Sequence, residues 1–180
     1  MVPSARSGPY TGECLDLTDP WLVNFGDQSA IVFDAAAARD ADEDPVLAAA
    51  YAQQFELVAS LAGSSPAWLI SHKAFTSLGA GEDGEPVRWT TATFVEAGFS
   101  QPPAMIDLVI AGHVHMAEML QFATESGKPV TLIVGNAGTA LDQFGGTKLS
   151  GADIGDETLV TGIRYALHGF TSSNKRMQVG

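Results

Sequence analysis

The sequence predicts an α+β fold on three observations: several apolar runs of strand length, one long stretch with helical periodicity, and clusters of turn residues between them. A first strand is expected over Trp21-Leu22-Val23-Asn24-Phe25. Gly26-Asp27-Gln28 reads as a hairpin turn into Ser29-Ala30-Ile31-Val32-Phe33, so these two strands should pair. Asp34 ends its strand, where a cap or loop hydrogen bond is the favoured role. Asp40, Asp42, Glu43 and Asp44 form an acidic loop. It lacks the sixth-position glycine and closing Glu of an EF-hand, so it reads as a solvated segment.

Pro45 is suited to the first turn of a helix, and the Ala-, Leu-, Gln- and Glu-rich stretch that follows runs to about Ala62. Leu47, Tyr51, Phe55, Val58 and Leu61, three or four apart, form its expected buried stripe. Gly63-Ser64-Ser65-Pro66 should stop it. A strand is expected at Ala67-Trp68-Leu69-Ile70-Ser71, then a long glycine-rich loop from Lys73 to Pro86, then a short helix within Trp89–Ala97. Later strands are expected at about 107–111, 117–123, 130–135 and 160–167. Glu125-Ser126-Gly127-Lys128 reads as a hairpin turn and the glycine-rich stretch Gly145 to Gly155 as a surface loop. Trp68 and Trp89 are expected to pack in the core or against loops.

The chain of 180 residues, 46% hydrophobic and 17% charged, is read as a single domain over 1–180 that can bury a core. No run of about 18 apolar residues is present to span a bilayer. The N-terminal segment has no apolar stretch of signal-peptide length, so localisation stays open. A net charge of −12 argues against nonspecific binding to nucleic acid or anionic membranes. It does not argue against phosphate substrates, because bound divalent cations reverse the sign locally. Cys14 is the single cysteine and offers no internal disulfide.

The chemistry concentrates in Gly112-His113-Val114-His115, at the end of the apolar run 106–111. In extended backbone residues two apart share a face, so both imidazoles can reach one small region. Gly112 lacks the Cβ that would hinder a turn or a close approach. His72 ends the strand-like run 67–71, so three of the four histidines sit at strand ends. Imidazole is a common neutral ligand for zinc, manganese and iron. His168, in a late strand without a partner motif, is read as structural.

Gly-His-Val-His after a strand, preceded by a strand ending in a lone His, resembles the last two motifs of the calcineurin-like metallophosphoesterases. Val134-Gly135-Asn136-Ala137-Gly138-Thr139, Ile31-Val32-Phe33-Asp34 and the helix before Trp68 are similar to segments of that family in the same order, over about residues 10–170. The resemblance implies a partial αββα sandwich of mixed sheets flanked by helices. It implies a site in which His72 and His113 serve one metal and His115 the other, with Asn136 at the substrate. Two divalent ions (Mn, Fe or Zn) would serve the complete site, on a phosphoester small molecule or a phosphoprotein.

The family's Asp-x-His, Gly-Asp-x-x-Asp and Gly-Asn-His-Asp/Glu motifs do not occur. Gly26-Asp27 is followed by Gln-Ser-Ala, and Gly135-Asn136 by Ala137. The sequence therefore resembles only the C-terminal half of the domain. The expectation is that the isolated chain binds metal weakly and hydrolyses phosphoesters poorly. The alternatives are a non-catalytic metal-binding or regulatory module, and one half of a two-chain phosphoesterase that pairs with the missing N-terminal half through exposed apolar strands.

Overall fold

The computed structural model describes residues 17–80, 86–122, 127–135, 153–154 and 157–165. Strands β1 (Trp21–Phe25) and β2 (Gln28–Phe33) form the expected antiparallel hairpin, turning at Gly26 with φ of 66°. Helix α1 (Pro45–Ala62) begins at the expected proline. Asp44 caps it by accepting a hydrogen bond from the Leu47 N–H at 3.1 Å, and Gly63 ends it at φ of 61°. Strand β3 (Ala67–Ser71) follows, then β4 (Ser77–Ala80), β5 (Pro86–Trp89), α2 (Ala92–Glu96), β6 (Ile106–Ala111), β7 (Ala117–Phe122), β8 (Val130–Val134), β9 (Asp153–Ile154) and β10 (Glu157–Tyr165).

The fold is α+β, with a mixed eight-stranded sheet in the order β1-β2-β3-β6-β8-β7-β10-β9. The central run β2-β3-β6-β8 is parallel, and the antiparallel pairings lie at the two ends. Strands β7 and β8 pair as neighbours in sequence, with Gly127 at φ of 64° between them, although residues 125–126 of the expected turn lie outside the described residues. So does the expected loop 145–155 except Asp153–Ile154, which pairs with β10. His168 also lies outside.

One face of this sheet is closed. Leu22, Ile31, Phe33, Leu69 and Val109 face α1, whose Tyr51, Phe55 and Val58 are fully buried against them. Of the expected helical stripe, Leu47 and Leu61 are only partly buried, and Ala48 and Ala62 are buried in addition. Aromatic rings dominate this core: Phe55 lies 5.0 Å from Phe33, 5.2 Å from Phe75, 5.1 Å from Phe94 and 4.5 Å from Phe99, centroid to centroid. Tyr51 is buried there too, and that burial pushes its phenol up to about 12.

The segment 73–86 corrects the sequence reading. Its described residues are not an open loop: Lys73 to Leu78 are buried, and β4 and β5 pair as a separate antiparallel sheet, while 81–85 lie outside the described residues. This hairpin covers the closed face of the sheet beyond the reach of α1, where the Leu78 N–H donates to the buried Glu118 carboxylate on β7 at 3.0 Å. Ala74, Phe75 and Leu78 carry the apolar signal in this segment, and the glycines dilute it.

The opposite face differs. Alternation places Trp21, Val23 and Phe25 of β1 there, all more than 40% exposed, in register with Val32 and Trp68 and continuous with Ile70, Ile110 and Leu132. Except for Ala30, the apolar side chains of this face are half-buried or exposed. Strands in parallel pairing are normally covered on both faces.

Phe55 offers a direct check on the closed face. Phe55→Ala should lower the unfolding free energy by about 3–5 kcal/mol in urea titration, while Leu57→Ala, on the outer side of the same helix, should change it by less than about 0.5 kcal/mol. Equal losses would contradict this placement of the core.

Candidate metal centre

The parallel pair β3–β6 builds the centre. Beyond the last paired residues, the N–H groups of Gly112 and His113 both donate to the His72 carbonyl, at 3.0 and 2.8 Å. This carries the two strand ends forward together and lays the two imidazoles side by side, ring centroids 4.9 Å apart. His113 Nδ1 lies 3.1 Å from His72 Nε2. The two histidines are 41 positions apart in sequence, and the fold brings them into contact.

Gly135 fixes the same region from β8. A Cβ built there would overlap the carbonyl oxygens of Gly112 and Val114, so only glycine permits the end of β8 to lie against the histidine turn. Its N–H donates to the Met116 carbonyl at 3.1 Å. Gly112, by contrast, faces open space where a Cβ would stand, so the steric reason expected for it is absent among the described atoms; its part is the N–H that bonds His72.

The acidic loop is not merely solvated, which corrects a second expectation. Asp40 Oδ2 lies 2.7 Å from His113 Nε2 and 2.9 Å from Lys73 Nζ. Asp44 caps α1 and pairs with Arg39 at 3.2 Å. Burial opposes the ionisation of Asp40, yet the hydrogen bonds from Lys73 and His113 outweigh it and hold this carboxyl below the usual range. Asp34 behaves as expected, accepting from the N–H groups of Thr18 and Ala36, each at 3.1 Å.

A cavity of about 650 Å³ opens beside the centre, lined by His113, Val114, His115, Asp40, Arg88, Trp89, Thr90 and Thr91 among others. Trp89, 41% exposed, stands in its wall and so is not a core residue. Trp68 does pack, 5.4 Å from the Phe25 ring. The Arg88 guanidinium lies 5.7 Å from the Phe122 ring centroid. Asn136 lies outside the described residues.

Two features favour a metal at His72 and His113. Two nitrogens on one zinc, each at about 2.0–2.1 Å, stand roughly 3.3 Å apart in a tetrahedron; the observed 3.1 Å is close to that. His72 is held below the ordinary histidine range, first by partial desolvation and then by its cationic neighbour Lys73 among others, which favours the neutral form that a ligand needs. The donor set is nonetheless partial. Among the described residues no group of three or more His, Cys, Asp or Glu side chains is placed to hold an ion, and His115 shares the cavity without completing one.

No family model matches this sequence, and no curated protein matches it. A solved structure similar to it is that of the purple acid phosphatase PPD1 from yellow lupin (Lupinus luteus) seeds, at a TM-score of 0.44 and 12% identity, over 79% of this chain and 26% of that one. The chain thus spans about a quarter of that protein's length. The resemblance is distant and concerns architecture alone.

Gly135→Ala should cost about 1–3 kcal/mol of stability through overpacking and should shift the NMR resonances of His113 and His115; an unshifted spectrum would contradict the close approach. Acid supplies a second check. Because His72 takes up its proton at lower pH folded than unfolded, the unfolded chain binds more protons as pH falls below about 6.5, and stability is lost there. His72→Gln should therefore flatten the fall in Tm between pH 7 and 5, and an identical slope would count against the partial desolvation of that ring.

Proposed function

We propose that this chain carries part of the metal centre of a metal-dependent phosphoester hydrolase, within a partial αββα sandwich, and that alone it is a weak catalyst. The observation that supports this reading best is the His72–His113 pair at the ends of adjacent parallel strands, its nitrogens 3.1 Å apart, beside a cavity that also holds His115. His72 and His113 would hold one divalent ion, with Mn, Fe and Zn all compatible with imidazole. His115 would serve a second ion, and Asn136 would approach the substrate. A bound divalent ion supplies Lewis acidity toward a phosphoryl oxygen and offsets the charge that develops at phosphorus.

The chain's own part is to hold the imidazoles rigidly, through the backbone bonds to the His72 carbonyl and the close approach at Gly135. The cavity walls Trp89, Thr90 and Thr91 would receive the organic part of a small phosphoester or phosphoprotein. Oxygen ligands that bridge two ions are not found among the described residues, and their absence from the sequence motifs is why low activity is expected.

A second reading, in which the chain is one half of a two-part assembly, is favoured by the open sheet face at Trp21, Val23 and Phe25. An apolar face over parallel strands that no described residue covers calls for a second layer. A non-catalytic metal-binding or regulatory module is a further alternative, which stable folding of the isolated chain without activity would support.

The test is calorimetric titration of the chain with zinc and manganese, with an aryl phosphate assay alongside. Wild type should bind one ion, and His72→Ala and His113→Ala should each weaken binding by more than the roughly 10–100-fold that loss of an outer-shell partner costs. Turnover should stay close to background. Unchanged affinity in both variants would overturn the metal reading, and efficient hydrolysis by the isolated chain would overturn its incompleteness.

A further inference from the structure

We propose that Asp40 and Lys73 form a positioning pair that fixes His113 as its Nε2–H tautomer and so presents Nδ1, the nitrogen facing His72, to a metal ion. The inference rests on the metal-binding reading of His72 and His113 and assigns a role to two residues outside the ligand set.

One oxygen carries the arrangement. Asp40 Oδ2 meets His113 Nε2 at 2.7 Å and Lys73 Nζ at 2.9 Å. An ionised carboxylate only accepts hydrogen bonds, so the proton between Asp40 and His113 sits on Nε2. In the neutral ring Nδ1 then keeps its lone pair, and it is this atom that stands 3.1 Å from His72 Nε2. A histidine ligand whose far N–H is held by a carboxylate has its tautomer and ring orientation set and its basicity raised.

Lys73 holds the carboxylate in place. Its side chain is 8% exposed against 52% for Asp40, so its ammonium, nearly out of solvent, needs that charge close by. Its backbone is fixed in turn, because the Ser71 hydroxyl donates to the Lys73 carbonyl at 2.6 Å. Asp40 is anchored from its own side: the Arg39 N–H donates to the Thr93 hydroxyl at 2.8 Å, and the Thr93 N–H donates to the Arg39 carbonyl at 3.1 Å. The loop before α1 is thereby tied to α2, and its carboxylate meets the histidine from a fixed direction.

The experiment uses the full chain with ¹⁵N-labelled histidine, observed by NMR without metal and then titrated with zinc. Wild-type His113 should show one tautomer, protonated at Nε2, with a downfield Nε2–H resonance protected from exchange. Asp40→Ala should lose that resonance and bind zinc about 10–100-fold more weakly. Lys73→Met should lose part of both, and Asp40→Glu should restore the resonance. Should Asp40→Ala fail to fold, wild type alone still decides, since a proton on Nδ1 overturns the proposal. Zinc binding by wild type with equal affinity in Asp40→Ala overturns the positioning role and leaves the metal reading standing. No zinc binding by wild type overturns both, while the apo spectrum still reports whether Asp40 sets the tautomer.

Discussion

The structure depends on the two backbone hydrogen bonds that the His72 carbonyl accepts from Gly112 and His113. They prolong the β3–β6 pairing past the point where the ladder ends and carry the two imidazoles forward side by side. A neutral hydrogen bond contributes only about 1 kcal/mol to stability, so the pair acts mainly through geometry. It brings two strand ends together, with the facing ring nitrogens of His72 and His113 3.1 Å apart.

Everything around these bonds holds them still. Behind β3 and β6 lies the ring cluster of Phe33, Phe55, Phe75 and Phe94, in which neighbouring rings stand about 5–6 Å apart in tilted, stacked and edge contacts. To one side, Gly135 lets β8 close against the histidine turn. In front, Asp40, which accepts from Lys73, meets the outer ring nitrogen of His113. The other sheet face is the counterpart of this rigidity: among the described residues nothing closes it, and Trp21, Val23 and Phe25 are each more than 40% exposed.

Much of this was legible in the sequence because it is local. The hairpin β1–β2, the start of α1 at Pro45 and its halt at Gly63, and the strand Ala67–Ser71 each follow from period and turn chemistry within a few residues. The histidines at strand ends were legible for the same reason. Two things were not. The hairpin β4–β5 is short and interrupted by glycines, so it carries no alternation strong enough to read; its place is set by burial against β7. Asp40 was read as solvated because nothing beside it in sequence marks it out. Its partners lie 33 and 73 positions away, and only the strand order brings them together.

Under the proposed function, one ion is shared by His72 and His113. X-ray absorption at the zinc edge of the chain loaded with one equivalent of zinc tests it most directly, because imidazole rings give their own multiple-scattering signature. The account predicts scattering from two imidazoles in wild type and from one in His113→Ala. A spectrum without imidazole scattering, or one unchanged by His113→Ala, would contradict it.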